Sequence, residues 1–594
     1  MKKIIIPALA SFAMLFAASC SKSLLEEPQK GVTPIEDFYK TEDHCKQALV
    51  AAYDAFVTET AGFTEGSIYC PFHFCFNLCA DDLYGAGEFD GDNDFSPAMN
   101  EFRYDSGNPV ITNTYKDIYI AMLPINQVIE YFQNGIDGKP TDITKQAVAE
   151  ARVLRAYLHM MLAIGWDCPP LVDHILPGDA LPLNCNKDPH AAEVGVTDHN
   201  SLLIWCANEC IAAANDLTER KDKTDKNGAA RVTKGFAYSV AGKAYLFAGK
   251  YEEAKKELLK VIESGKYELV PTEKYWENFH IQGDLNEEKI FEGNIENNSS
   301  IGDWSGMIQR TTWMEANIWS WRSDHFVADP VTPINSIGGW GGCGVPQEFA
   351  EAMLDNDGES ARFKTCFYKI EDLVYNTEYD TIKTQDGKKY YIPGMTQAEK
   401  EACNLIGLDA RGLYGQSFYL PYKQLPRTAD LASPGTNQRK NNFIYMRYAE
   451  VLLMYAEACL QTGNSGEAKT YINKIQSRAG SKTISDNVDM NVLKKEKQFE
   501  MWLEGNRWPD MVRWGDFDKA KNAGNAVTHL YDKLSRPIAE GDIVVKDNGR
   551  FYIIVANRPN KPQTGFQANK HEHFPYPMDV TNNNPNIIQN KGWE

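Results

Sequence analysis

The chain has 594 residues, 43% hydrophobic and 24% charged, with a formal net charge of −20. This composition excludes wholesale disorder, and the acidity disfavours nucleic acid and anionic membrane as partners. The length exceeds that of a usual single domain, so several domains or one large helical unit are expected.

Lys2 and Lys3 form a basic start, and residues 4–18 are apolar but too short to span a bilayer. Phe16-Ala17-Ala18-Ser19-Cys20 resembles a bacterial lipobox, which makes residues 1–19 a signal peptide and Cys20 the lipid-bearing residue. No later apolar run reaches spanning length, so anchoring is expected through lipid alone. Residues 20–34 read as a polar tether, and residues 35–594 as a single domain.

Helices are predicted over 42–60, over 115–132 with an interruption at Pro124, over 141–166 and over 200–217. The helix at 141–166 is the strongest: Ala147, Leu154, Tyr157, Leu158, Met161 and Leu162 recur at i, i+3, i+4 spacing. It stops before Cys168-Pro169-Pro170, where proline cannot continue it. Residues 232–263 read as a helical hairpin turning at Ala248-Gly249-Lys250, and a second copy spans 447–478 with Gly463 in the matching position. Small residues in both let the helices approach closely, in the manner of tetratricopeptide repeats. The region between, about 299–442, is rich in Gly, Pro and aromatics and reads as a loop-rich insertion. It holds one hairpin, 381–384 with 389–392 across Asp386-Gly387; another is predicted from 543–545 and 551–555 across Asn548-Gly549. The fold class is therefore mostly α with small β-hairpins.

Five of the twelve tryptophans crowd into this insertion: Trp304, Trp313, Trp319, Trp321 and Trp340. Without helical or strand periodicity they read as loop aromatics, which either anchor a local core or present a flat apolar surface. Trp166, Trp205 and Trp276 lie on apolar patterns and are expected in the core. In residues 500–514, Trp502, Trp508 and Trp514 read as scaffold, with Arg507 and Arg513 pairing to Glu504 or Asp510. Setting Cys20 aside, the cysteines lack zinc spacing and are expected to be mostly buried free thiols. Asp90, Asp92, Asp94 and Glu101 imitate calcium-loop spacing, but Phe95 stands where the turn needs glycine, so a solvated acidic loop is the better reading. No nucleophile elbow, zinc-protease motif or phosphate loop occurs, and neither metal nor cofactor is expected.

Several segments resemble one family. Cys20 with its tether comes first, then residues 152–159 (RVLRAYLH) running into Pro169-Pro170-Leu171-Val172, then residues 228–249. Residues 447–458 (RYAEVLLMYAEA), 500–514 (EMWLEGNRWPDMVRW), Tyr576-Pro577, Asn584-Pro585 and Gln589-Asn590 follow in order. Together they resemble the SusD/RagB family of Bacteroidetes outer-membrane lipoproteins. The resemblance implies a right-handed scaffold of tetratricopeptide-like helical pairs and a noncatalytic protein on the cell surface. It implies capture of glycans and their delivery to a SusC-like TonB-dependent outer-membrane transporter. It also implies ligand contacts from the insertion and from an N-terminal loop.

Pyranose rings pack their C–H faces on aromatic rings while their hydroxyls take polar partners at the edge. The candidate platforms are the five insertion tryptophans, only some of which need face ligand, with Gln309, Arg310, Asn317, Arg322, Asp324 and Asn335 as edge partners. Stacking of a comparable kind contributes about 1–3 kcal/mol per contact. Asp81, Tyr84 and Phe89 form a second candidate patch. The competing readings are a surface glycoside hydrolase, whose carboxylate pair is defined in space and not in sequence, and a peptide-binding or docking member of the same fold.

Overall fold

The computed structural model describes residues 38–60, 72–85, 94–295, 316–321, 326–327, 339–369, 374–375, 381–383, 389–391, 419–432, 438–516, 529–531, 543–547, 550–555 and 565–594. Cys20 and the tether lie outside them.

The scaffold is a succession of helices, each packed on the next. Helix α1, Glu42–Thr60, buries Cys45, Ala48, Leu49, Ala52 and Phe56 along one stripe. Helix α2, Pro109–Phe132, starts on Asn108, whose side chain accepts from the Val110 amide, with Pro109 at the first helical position. It passes through Pro124 without a break, contrary to expectation. An interior proline costs about 3 kcal/mol, but Ile118, Ala121, Met122, Ile125 and Val128 are all fully buried, and that packing holds the helix together. Helix α3, Asp142–Trp166, opens on a reciprocal Thr141–Thr144 cap and is the central element, with every predicted apolar position buried. Helix α4, His199–Ala213, is capped by Asp198 and ends earlier than predicted. The Asn215 side chain there donates to the Ala212 carbonyl, a local bond that competes with helix continuation.

Helices α5, Lys234–Phe247, and α6, Tyr251–Glu263, form the first predicted hairpin. Gly249 turns between them at φ +69°. A Cβ on Gly242 would lie 2.5 Å from Leu258 Cγ, so glycine is what lets α5 approach α6 there. In the insertion the structure adds α7, Gln347–Asp357, and α8, Ala361–Cys366, neither of them predicted. Helices α9, Tyr448–Gln461, and α10, Ser465–Ala479, are the second hairpin, followed by α11, Met490–Glu500, and α12, Arg507–Trp514. Neighbours run α1–α2–α3–α4–α5–α6–α9–α10–α11, so the two repeat-like pairs stack directly, α6 on α9.

The described sheets are small. Strand β1, Lys289–Gly293, pairs antiparallel with β4, Phe443–Arg447, at the two ends of the insertion. Strands β2, Thr381–Lys383, and β3, Lys389–Tyr391, form the predicted hairpin. The C-terminal hairpin is also present as β6, Ile543–Asp547, and β7, Arg550–Val555; an unpredicted β5, His529–Tyr531, pairs on the other edge of β7. The ten described cysteines are buried free thiols. Trp166 is fully buried, while Trp205 is partly buried against the core. Trp276 is half-buried, its ring tilted at 45° to that of His280.

Where β1 and β4 meet α10 and α11, charge is buried rather than apolar surface. Arg447 Nη1 donates to Glu288 (2.8 Å) and Glu500 (2.7 Å), and its Nε and Nη2 donate to Glu504 (2.7 and 2.8 Å). Arg478 pairs with Glu288 and Glu500. Arg362 on α8 joins Glu496 (2.5 Å), Glu500 (3.2 Å) and Asp357 (2.8 Å). Lys423 Nζ donates to Glu504 (2.7 Å) and to the Trp502 carbonyl (2.6 Å). Burial alone would raise the Glu500 carboxyl; Arg478, Arg447 and Arg362 outweigh it and hold the group well below the usual carboxylate range. Glu288, Glu504 and Asp357 are lowered for the same reason, whereas burial pushes Glu496 up.

Two predictions follow from this packing. Gly242→Ala lowers unfolding free energy by about 1–3 kcal/mol through overpacking, whereas Gly466→Ala on α10, where an added Cβ meets nothing within 4 Å, leaves it unchanged or higher. Urea denaturation of both variants checks the pair, and equal effects would contradict the close approach. Arg447→Met leaves buried carboxylates uncompensated and costs about 3–5 kcal/mol at pH 7. Because Glu500 titrates well below its ordinary 4.5, the stabilisation it provides is complete above that value and is lost as pH falls below it. Denaturation of the parent chain from pH 7 to pH 3 therefore shows stability falling below about pH 4.5, with a smaller fall in the variant.

Candidate functional site

The two sequence patches, far apart in the chain, come together. Tyr84 and Gly85 pair antiparallel with Gly344 and Cys343. The Tyr84 ring lies over Gly344 so closely that a Cβ there would stand 2.2 Å from it. On one side, residues 339–341 bind the short helical segment 316–321 through three backbone bonds. Gly339 N donates to the Trp321 carbonyl (3.2 Å), Trp340 N to Asn317 (2.8 Å) and Gly341 N to Ser320 (2.8 Å).

On the other side, residues 77–83 are fastened to the segment around α12. The Gly505 amide donates to Asn77 Oδ1 (3.0 Å), and Trp502 Nε1 donates to the Asp82 carbonyl (2.8 Å). Arg507 grips Asp81 with Nε (2.7 Å) and Nη2 (2.8 Å), and Gln498 Nε2 adds a third bond to it (3.1 Å). This bidentate geometry is the strong form of an ion pair. Arg507 therefore pairs with Asp81 and not, as expected, with Glu504 or Asp510. Arg513 does reach Asp510 (2.7 Å) and also pairs with Glu457. Asp82 is fully buried, and burial together with the Asp81 charge pushes its carboxyl upward.

The candidate residues separate on this frame. Trp321 is fully buried, and its Nε1 donates to the Pro421 carbonyl (3.2 Å). Trp319, Tyr84 and Asn317 are also buried, and Asp81 is engaged by Arg507. These four side chains and Trp321 help build the frame, the packing role that the sequence left open for part of the window. The cause is general: an insertion this long needs a core of its own. Trp340 is half-buried and packs against the core. Trp304, Trp313, Arg322 and Phe89 lie outside the described residues, as do Gln309, Arg310, Asp324 and Asn335. By chain connectivity, however, the segments that carry them join the frame directly: 86–93 follows Gly85, 296–315 leads into Ala316, and 322–338 runs from Trp321 to Gly339.

Of the acidic run, Asp94 and Glu101 both pair with Arg103 (2.9 and 2.5 Å). Phe367 packs on Trp502 with 4.8 Å between ring centroids, a long-range contact that carries no local sequence signal. Helix α7 was legible after the fact, from Phe349, Ala350 and Met353 on one face and Gly358 just past the end. A separate apolar groove of about 480 Å³ lies beside α2, lined among others by Tyr119, Leu123, Val172, Leu176 and Ile587. It has few convergent polar groups and does not suit a sugar.

Among the described residues, no helix is long and apolar enough to cross a membrane. A SusD-like protein of Bacteroides ovatus is 22% identical over 526 residues, covering 85% of this chain and 81% of the relative. One from Formosa agariphila is 22% identical over 558 residues, covering 88% and 92%. A solved laminarin-binding SusD-like protein superposes with a TM-score of 0.65 at 20% identity, covering 93% of this chain and 100% of that one. Surface glycan-binding protein A of Bacteroides thetaiotaomicron, solved in complex with laminarihexaose, does so with a TM-score of 0.63 at 21% identity, covering 92% and 99%. At these identities the structures establish a shared fold. The profile of the SusD family matches residues 287–593, more than half of the sequence, and the chain belongs to that family.

Proposed function

We propose that this protein is a lipid-anchored glycan-capture subunit of the cell surface, which binds oligo- or polysaccharide without cleaving it and delivers it to a SusC-like TonB-dependent transporter. The observation that carries the reading is the joining of the two aromatic patches on one rigid frame, within a fold shared with glycan-binding relatives. A frame buried this thoroughly fixes where the three flanking segments begin and end. Stacking on a few aromatic faces then gives binding weak enough for release to a transporter. Trp304, Trp313, Trp340 and Phe89 are the proposed platforms, with Arg322 at the edge. The lipid on Cys20 would hold the protein at the outer membrane, and the exposed Ile120 and Leu123 beside the apolar groove give a protein partner a surface to cover.

Affinity electrophoresis through gels containing a panel of polysaccharides, laminarin among them, tests the reading. At least one glycan retards the parent chain. Trp304→Ala or Trp313→Ala abolishes that retardation at unchanged thermal stability, and Trp321→Ala lowers stability by about 3–5 kcal/mol. No retardation by any glycan, with retained binding of peptides, would sink the glycan assignment.

A further inference from the structure

Away from this frame, three side chains from distant segments meet at the C-terminal end of α3. Asp167 caps that helix and His199 opens α4. His573 belongs to the C-terminal tail, which folds back on α3: Phe574 N donates to the Gly165 carbonyl (2.7 Å), Trp166 Nε1 to Pro575 (3.0 Å) and the Tyr576 hydroxyl to Trp166 (2.8 Å). Asp167 Oδ1 stands 3.4 Å from His199 Nδ1 and 3.7 Å from His573 Nε2, and the three atoms all lie within 4.8 Å of one another.

These separations are longer than the roughly 2.7–2.9 Å of a charge-assisted hydrogen bond; His199 Nδ1 also lies 3.3 Å from the Asp167 carbonyl, a long contact that it gives up on binding a metal. The separations are close to the edge of a coordination tetrahedron, since ligand bonds of about 2.0–2.1 Å place neighbouring ligands about 3.3–3.4 Å apart. A second cluster is built differently. There Asp173 Oδ1 is closed onto His174 Nδ1 at 2.8 Å and His190 Nε2 at 2.7 Å, which leaves no room for an ion between them. Asp167 also sits at φ +63° and ψ −89°, a strained conformation for a residue with a Cβ. Side-chain exposures of 39% for Asp167 and 27% for each histidine leave one side open to water.

We propose that Asp167, His199 and His573 hold one divalent transition-metal ion of the zinc class, with water completing a four-coordinate shell. Two imidazoles and one carboxylate are a borderline donor set that suits zinc over calcium or magnesium. The ion adds a directional tie between the tail and α3 and α4, segments about 400 residues apart, beside the packing of Phe574 on Trp166.

The full untagged chain, stripped with chelator, is titrated with Zn²⁺ alone by calorimetry and by thermal unfolding. The expected result is one equivalent bound and a Tm that rises with metal. His199→Gln and His573→Gln each weaken binding by about 10-fold or more, while Asp173→Asn leaves it unchanged. Zinc-edge anomalous scattering from crystals of the parent chain places the ion between the three residues, independently of whether either variant folds. No saturable Zn²⁺ binding by the parent, equal affinity in both histidine variants, or loss of binding in Asp173→Asn instead would overturn the site.

Discussion

The constraint on which the rest of the molecule depends is the buried charge network around Arg447 and Glu500. Arg447 and Glu500 are each completely enclosed; they pair with each other and with Glu288 before β1, Glu504 after α11, Arg362 on α8 and Arg478 on α10. Desolvating so many ions is costly, and an apolar cluster of similar volume would be as stable or more so. What the ions provide is direction. Each carboxylate oxygen and each guanidinium nitrogen demands a partner at a definite angle, so the insertion can be seated on α10 and α11 in one way.

The same network reaches the candidate site through the turn after α11. Arg447 Nη2 donates to the Glu500 carbonyl (2.7 Å), and Lys423 donates to the carbonyl of Trp502. Just after them the backbone takes φ +62° at Leu503 and φ +73° at Gly505, a conformation that needs such support at the leucine. The turn aims the Trp502 indole at Asp82 and the Gly505 amide at Asn77. Arg507 then takes Asp81. A continuous set of directional contacts therefore links the ion network, the N-terminal segment and the strand pair that joins it to the tryptophan window.

What was legible in the sequence follows from the range of the physical signal. The helix 42–60 and both helical hairpins were readable because periodicity and small-residue spacing are local. Hairpins across Asp386-Gly387 and Asn548-Gly549 were readable because those turns impose the pairing. Pro124 misled, because the packing that carries α2 through it comes from other elements. The burial of Trp321 could not be read at all: the carbonyl that satisfies its indole belongs to Pro421, 100 residues away. The Tyr84–Gly85 pairing with Cys343–Gly344 spans two residues and carries no pattern, yet it is what unites the patches. Tryptophan enrichment marked the window that this strand pair ties to the N-terminal patch, but not that Trp319 and Trp321 are the rings buried in it.

The central claim is that ligand is held by the segments that join this frame. Hydrogen–deuterium exchange of the chain with and without a retained oligosaccharide tests it most directly. The account predicts new protection in peptides covering 86–93, 296–315 and 322–338, with exchange in 77–85 and 498–508 unchanged. Protection confined to 517–564 or to the groove beside α2 would contradict it.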